Sequence, residues 1–294
     1  MSYPNKIEYL FKFNKENVLL PFWEVRSMIK LLNEMHISYE IEKILTYDDC
    51  TITKEFKNSL PFDLKIKDVI SIYGASGKTS TLYSLAKLCK DHKVLLSTTT
   101  KMFYPKKDQI DKEVYTGLPQ ADQGITFYAS RCDDVKCQSP PLISFSKAIK
   151  EFDFTFIESD GTKRRPMKYY NQDEPIHIPC MNKGILVLSI DCLDDKINAN
   201  TIHRLDSFCK HYNVKINDPI TEELIAKYLS DSSGVLKETN FPVYLFFNKI
   251  ESYRQYQMML AVLSKIDDQV KNKLKIYFGS AHLSAYEYLG GLKR

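Results

Sequence analysis

Glycine and proline are scarce in this chain of 294 residues, at 10 and 12 respectively, which excludes collagen-like, low-complexity and linker-dominated architectures. No charge of one sign prevails. The 41 basic residues face 37 acidic ones, and they are spread along the whole chain, so the net +4 gives only a mild attraction to anions and no nucleic-acid partner is expected. Long hydrophobic runs are missing too: a stretch such as Gly184 to Ile190 is far shorter than the roughly 20 residues a bilayer-spanning helix requires. Neither a membrane span nor a membrane partner is expected. Met1 to Lys15 mixes Lys, Glu and Asn into its apolar residues and so lacks the pattern of a secretory signal, which points to a cytoplasmic location. The seven cysteines are odd in number and widely scattered, consistent with reduced thiols rather than a disulfide framework.

What is present is a core. Hydrophobic residues make up 44% and charged residues 27%, close to the soluble globular average. Near-continuous apolar runs at Asp68 to Tyr73, Lys93 to Thr98, Phe154 to Glu158, Gly184 to Ile190, Val243 to Phe247 and Lys275 to Phe278 read as strands buried on both faces. Between them, helical spacing appears at Leu82, Leu85, Ala86 and Cys89, at Leu224, Ile225, Tyr228 and Leu229, and at Tyr256, Leu260, Leu263 and Ile266. The alternation predicts an α/β fold, a doubly wound and mostly parallel sheet over residues 61–294. Residues 1–60 read as a partly helical N-terminal extension, with an amphipathic stretch around Phe22, Val25, Ile29 and Leu32 in which Trp23 is a packing residue.

The first strand runs through Gly74-Ala-Ser-Gly-Lys-Thr-Ser80 into an amphipathic helix, the context a phosphate-binding loop requires. With so few glycines, Gly-x-x-Gly-Lys-Ser/Thr arises by chance in roughly one such chain in several hundred. Gly74 and Gly77 permit a tight turn, so that the N–H groups of Ala75, Ser76, Gly77, Lys78 and Thr79, with the start of the helix, can face an anion. Lys78 brings a point charge to the terminal phosphates, Thr79 a hydroxyl to Mg²⁺, and Ser80 a second hydroxyl.

Such a site also needs a carboxylate from a neighbouring strand end. Glu158 and Asp160 stand two apart at the carboxyl end of a buried strand, Glu158 as the metal-side acid and Asp160 as its partner. Lys163, Arg164, Arg165 and Lys168 follow directly and read either as a solvated basic turn or as anion clamps, with adjacency to the acids favouring the clamp. Ser97-Thr-Thr-Thr-Lys101 places hydroxyls and a lysine, Thr100 and Lys101 among them, at the sheet edge where ligands of open α/β folds bind. Asn248-Lys-Ile-Glu251 is similar to the base-reading turn of guanine-nucleotide proteins, with Glu251 in place of an aspartate, so Asn248 and Lys249 join the candidate nucleotide contacts. Cys132 and Cys137 lack the second pair that structural zinc requires. His177 reads as a structural histidine, and His203-Arg204 as either an anion contact or a helix start.

In this order, Gly74-Ala-Ser-Gly-Lys-Thr-Ser80, Thr98-Thr-Thr-Lys101, Glu158-Ser-Asp-Gly-Thr-Lys-Arg-Arg-Pro-Met-Lys168, Glu174-Pro175, His203-Arg204 and Asn248-Lys249 resemble the YqeC family of selenium-dependent hydroxylase accessory proteins. The resemblance implies a cytoplasmic P-loop NTPase-like protein that binds ATP or GTP with Mg²⁺. It also implies a role in maturing the selenium or molybdenum cofactor of a molybdenum hydroxylase, with that enzyme or its cofactor machinery as partner. Gly-x-x-Gly-Lys-Thr followed by a threonine-rich strand also resembles Mur-type ligases, which implies an ATP-dependent ligase or kinase acting on a small acid. A third expectation is a nucleotide-gated binding partner with negligible turnover. In the first of these, Lys78 and the loop amides hold the phosphates, Thr79 and Glu158 hold Mg²⁺ with Asp160 as partner acid, and Arg164, Arg165 or Lys168 steadies an anionic second ligand.

Overall fold

The computed structural model describes residues 60–237 and 239–289. The expected N-terminal extension, including Trp23 and its amphipathic stretch, lies outside the described residues. In chain order the elements are β1 (Asp68–Gly74), α1 (Lys78–Leu88), β2 (Lys93–Thr98), β3 (Met102–Phe103), β4 (Lys112–Val114), β5 (Gly124–Tyr128), β6 (Ser130–Arg131), β7 (Lys136–Gln138), α2 (Leu142–Ile149) and β8 (Phe154–Glu158). Then follow β9 (Met167–Lys168), β10 (Lys183–Ser189), β11 (Ile202–His203), α3 (Leu205–Tyr212), α4 (Glu222–Ser230), β12 (Val243–Asn248), α5 (Tyr253–Lys265), α6 (Asp268–Lys271), β13 (Lys275–Ser280) and β14 (Ala285–Tyr288). No helix among the described residues is long and apolar enough to cross a membrane.

Nine strands form one sheet in the order β14-β13-β12-β10-β1-β8-β2-β5-β4, parallel throughout except for antiparallel β14 at one edge. All six expected strands are present. Every residue of β1, β8 and β10 is buried, which is why their sequences run apolar without alternation. Successive residues serve opposite faces. Ile70, Ile72, Val94, Leu96 and Phe156 join Leu82, Leu85 and Ala86 of α1 in one core, while Val69, Leu95 and Ile157 join Phe145, Ala148 and Ile149 of α2 in the other. Helices therefore cover both faces, as the doubly wound reading expected.

Three strands of this sheet were not expected: β5, Gly124-Ile-Thr-Phe-Tyr128, is a short interior strand buried over its last four residues, and β4 and β14 carry no long apolar run. β4 and β14 are edge strands, β4 with exposed or half-buried side chains and β14 with Ala285 and Tyr286 buried but Glu287 and Tyr288 not, so an unbroken hydrophobic sequence is not required of them. Two small sheets, β3-β7-β6 and β9-β11, stand apart from the main one.

Strand order places the site. β8 enters between β1 and β2, so the carboxyl ends of β1, β8 and β2 lie side by side, with Ile72 in register with Glu158 and Glu158 in register with Thr98. β10 flanks β1 on the other side, so β1 sits where chain order reverses, the position at which open α/β sheets bind ligands.

Candidate functional site: a glycine turn backed by a chain of alternating charges

The turn between β1 and α1 is built from left-handed backbone. Gly74, Ser76 and Gly77 have φ of 106°, 64° and 119°. A Cβ at Gly74 would stand 2.2 Å from the Val187 carbonyl oxygen, and one at Gly77 would stand 2.0 Å from Asn248 Nδ2, so both positions require glycine. Gly77 is also the N-cap of α1, and no side chain caps that helix. Thr221 and Ser252, by contrast, cap α4 and α5 with their hydroxyls.

The amides of Ser76, Gly77, Lys78, Thr79 and Ser80 therefore have no hydrogen-bond partner among the described residues, and α1 has no acid in its first turn. Ala75 departs from the expectation. Its N–H donates to Val187 O at 2.8 Å because it still belongs to the β1–β10 ladder, so the open set of donors begins one residue later. Asn248 braces the turn by donating from Nδ2 to Ser76 O (3.2 Å) and accepting at Oδ1 from Ala281 N (2.9 Å).

Lys78 folds beneath the turn. Its Nζ donates to Gly74 O (2.9 Å) and Thr162 Oγ1 (3.4 Å) and lies 3.2 Å from Asp160 Oδ1, an ion pair outside hydrogen-bond alignment. Thr79 Oγ1 donates to Glu158 Oε2 at 2.7 Å, which joins the two expected metal-side oxygens directly. Burial pushes the Glu158 carboxyl above the usual carboxylate range, opposed by Lys78 and the Thr79 hydrogen bond and assisted by the charge of Asp160.

Behind this site the charges alternate. Asp160 Oδ2 accepts from Gly74 N (3.2 Å) and from Tyr170 OH (2.9 Å), and lies 3.2 Å from Lys168 Nζ. Lys168 is 0% exposed, donates to Gly161 O and stands 3.2 Å from Glu174 Oε2. Glu174 in turn takes a two-pronged hydrogen bond from the Arg204 guanidinium, whose Nη1 also donates to Tyr169 O. Burial pushes the Glu174 carboxyl up, but Arg204 and Lys168 outweigh it and bring it down to about 2.

Lys78, Asp160, Lys168, Glu174 and Arg204 thus form one chain of alternating sign, buried from Lys78 to Lys168 and partly exposed at Glu174 and Arg204. Lys168 is a counter-ion within it, with both acids already in contact. Arg164 and Arg165 point elsewhere: the Arg164 guanidinium lies 4.7 Å from the centre of the Phe103 ring, and Arg165 Nε donates to Ala199 O. Lys249 pairs with Asp191 at 2.9 Å. Glu251 accepts from Ser280 Oγ at 2.6 Å. His177 Nδ1 is 3.0 Å from Ser71 Oγ, and burial, against the opposing pull of Asp160, takes its imidazole down to about 4. Burial together with Arg204, Lys163, Lys168 and Arg165 does the same to His203. Cys137 is buried and its Sγ donates to Met102 O.

Thr162, Tyr170 and Glu174 had no expected role. Thr162 was marked only by its place in the acidic string and Glu174 only by its Pro175 neighbour, while nothing in the sequence singled out Tyr170. Thr100 and Lys101 do not touch the loop and line a separate opening with Thr99, Gln138 and Ser139.

Residues 70–206 match the family model described as YqeC protein. The resemblance to the YqeC family holds over that stretch. It contains the loop, Glu158, Asp160 and the whole charge chain, and ends before Asn248 and Lys249. A protein of Escherichia coli (strain K12) described as "Uncharacterized protein YqeC" is 31% identical over 154 residues, which is 48% of this chain. The chain spans 59% of that relative's own length. A solved structure described as "Crystal structure of FlhF complexed with GMPPNP/Mg(2+)" aligns over 98% of this chain and 88% of its own, at 16% identity and a TM-score of 0.37, which is too loose a likeness to carry an inference.

Proposed function

We propose that this protein binds a nucleoside triphosphate as its Mg²⁺ complex, ATP slightly ahead of GTP, and uses it as an accessory factor in maturing a selenium or molybdenum cofactor for a molybdenum hydroxylase. The observation that carries nucleotide binding is the run of open amides from Ser76 to Ser80, with the Lys78 ammonium beneath it and the Thr79–Glu158 pair beside it. In this reading the amides hold the phosphate oxygens, and Lys78 leaves Asp160 for the terminal phosphate. Thr79 and Glu158 suit Mg²⁺, a hard cation that prefers oxygen ligands and takes the rest from phosphate and water. No group of three His, Cys, Asp or Glu side chains among the described residues could hold a metal unaided. Bound Mg²⁺ would neutralise phosphate charge, while the chain's own residues position and desolvate the anion. The cofactor-maturation role rests on the YqeC resemblance, whose matched residues include the whole charge chain.

The test is a thermal-shift panel of ATP, GTP, ADP and GDP with and without Mg²⁺. A ligand that binds only the folded state raises stability by RT ln(1 + [L]/Kd), so a Mg²⁺-dependent shift absent from Lys78→Ala is expected. Equal shifts in both proteins would overturn the assignment of that lysine, and the absence of any shift would overturn nucleotide binding.

A further inference from the structure

Beyond Glu158, on the side away from the phosphate loop, the sheet edge opens into a pocket of about 330 Å³ lined by Thr99, Thr100, Lys101, Gln138 and Ser139. Its place follows from strand order. Thr98, the last residue of β2, is in register with Glu158, and Thr99 N donates to Glu158 O at 3.0 Å. Because parallel strands lie ~4.8 Å apart, the end of β2 stands two spacings, ~10 Å, from the end of β1. Phosphate loop, metal-side acid and pocket are thus arranged in a row along the carboxyl ends of three strands.

The lining offers donors and no acid. Thr99 Oγ1 donates to Ile176 O (2.9 Å) and Ser139 Oγ to Pro140 O (3.0 Å), so these two side chains are fixed as wall. Lys101 Nζ and the Gln138 carboxamide have no hydrogen-bond partner among the described residues, and Asp133 is the acid that feels the charge of Lys101. Phe103, two residues after Lys101, has Lys136 Nζ and Arg164 Cζ at 5.1 and 4.7 Å from its ring centre, which brings two further cations to the same end of the sheet.

We infer that this pocket binds a second reactant, a small anion bearing a carboxylate or phosphate group, gripped by Lys101 and oriented by Gln138 and Thr100. The inference rests on the nucleotide reading only for the identity of its neighbour. It reassigns Thr100 and Lys101 from the nucleotide to this second ligand, and it gives Arg164 a place from which to close over the bound anion.

The experiment is calorimetric titration of succinate and, separately, inorganic phosphate into the full chain saturated with Mg²⁺ and a non-hydrolysable nucleotide analogue. Binding of at least one anion is expected. Lys101→Met should weaken it about tenfold or more and Gln138→Leu severalfold, with analogue affinity within about twofold of the parent protein in both. Preference for succinate or for phosphate identifies the anionic group. The same titrations into Lys78→Ala without nucleotide, with and without Lys101→Met, separate the two readings: anion binding that persists there and is lost on adding Lys101→Met supports the pocket whether or not the nucleotide binds. Absence of binding in every arm overturns the inference, as does binding indifferent to both substitutions. A loss of analogue affinity in Lys101→Met also overturns it, by making the pocket part of the nucleotide site.

Discussion

Lys78 Nζ stands 3.2 Å from Asp160 Oδ1, with 5% of one side chain exposed and none of the other. The cation expected to meet a phosphate is therefore already neutralised, and an incoming anion must compete with a fixed carboxylate. Asp160 does not lose its only counter-charge in that exchange, because Lys168 remains 3.2 Å away on its other oxygen.

Asp160→Asn removes the competitor. Nucleotide affinity is expected to rise about tenfold, equivalent to about 1.4 kcal/mol. Stability should fall by about 3–5 kcal/mol, since Lys78 and Lys168 are left buried without their shared acid. Calorimetric affinity and urea unfolding measure the two together; affinity that falls along with stability would show that Asp160 supports phosphate binding instead of opposing it.

Glu158→Gln should raise the melting temperature at neutral pH while weakening Mg²⁺–nucleotide binding. Burial holds the Glu158 carboxyl above its ordinary value, so the folded state retains a proton that the unfolded state releases. The parent protein therefore loses stability relative to the variant as pH rises through that window, and the two converge below the usual carboxylate range. Melting curves from pH 4 upward test the sign, and a gap that widens on acidification would contradict it.

Glu174 behaves oppositely. Its carboxyl is held down at about 2, so its stabilisation is complete above the ordinary glutamate value and is lost as pH falls toward about 2. Arg204→Met should make acid unfolding begin at higher pH and cost about 1–3 kcal/mol at pH 7 by removing the two-pronged, partly buried partner of Glu174. Circular dichroism during acid titration reads both.

Gly77→Ala meets two obstacles, a φ of 119° and a Cβ 2.0 Å from Asn248 Nδ2. A loss of about 1–3 kcal/mol is expected from the backbone alone, together with loss of nucleotide binding as the amides turn away. Adding Asn248→Ala relieves the clash but not the φ, so the double variant should recover only part of the stability. Full recovery would place the whole effect in the side-chain contact.

The central fold was legible because β1, β2, β8, β10, β12 and β13 lie inside the sheet, where sequences must run apolar; β5 is interior too, but its Gly124-Ile-Thr-Phe-Tyr128 was not among the expected strands. The edge strands β4 and β14 have no such constraint, and the four-residue Ala285–Tyr288 includes a glutamate. Within the site, the glycine turn, Lys78, Thr79 and Glu158 were visible because local backbone geometry and strand alternation fix them. The partners of Lys168 were not, since a basic run after an acidic pair reads equally well as a solvent-facing clamp. Only the tertiary path of residues 159–174, which returns Glu174 to Lys168, decides between those meanings. The amide of Ala75 failed for a similar reason, because its acceptor Val187 is more than a hundred residues away in sequence.

The threading of β8 between β1 and β2 has a consequence for how the protein comes into being. A nascent chain leaving the ribosome finishes the glycine turn and its helix well before Glu158 and Asp160 are synthesised, and β1 and β2 must leave a slot for a strand still to come. Closing that gap requires non-local pairing, the slow kind of folding event. Glu158 can therefore meet the Thr79 hydroxyl only in chains whose β8 has entered between β1 and β2, so the site is completed by the last of these three strands to be made.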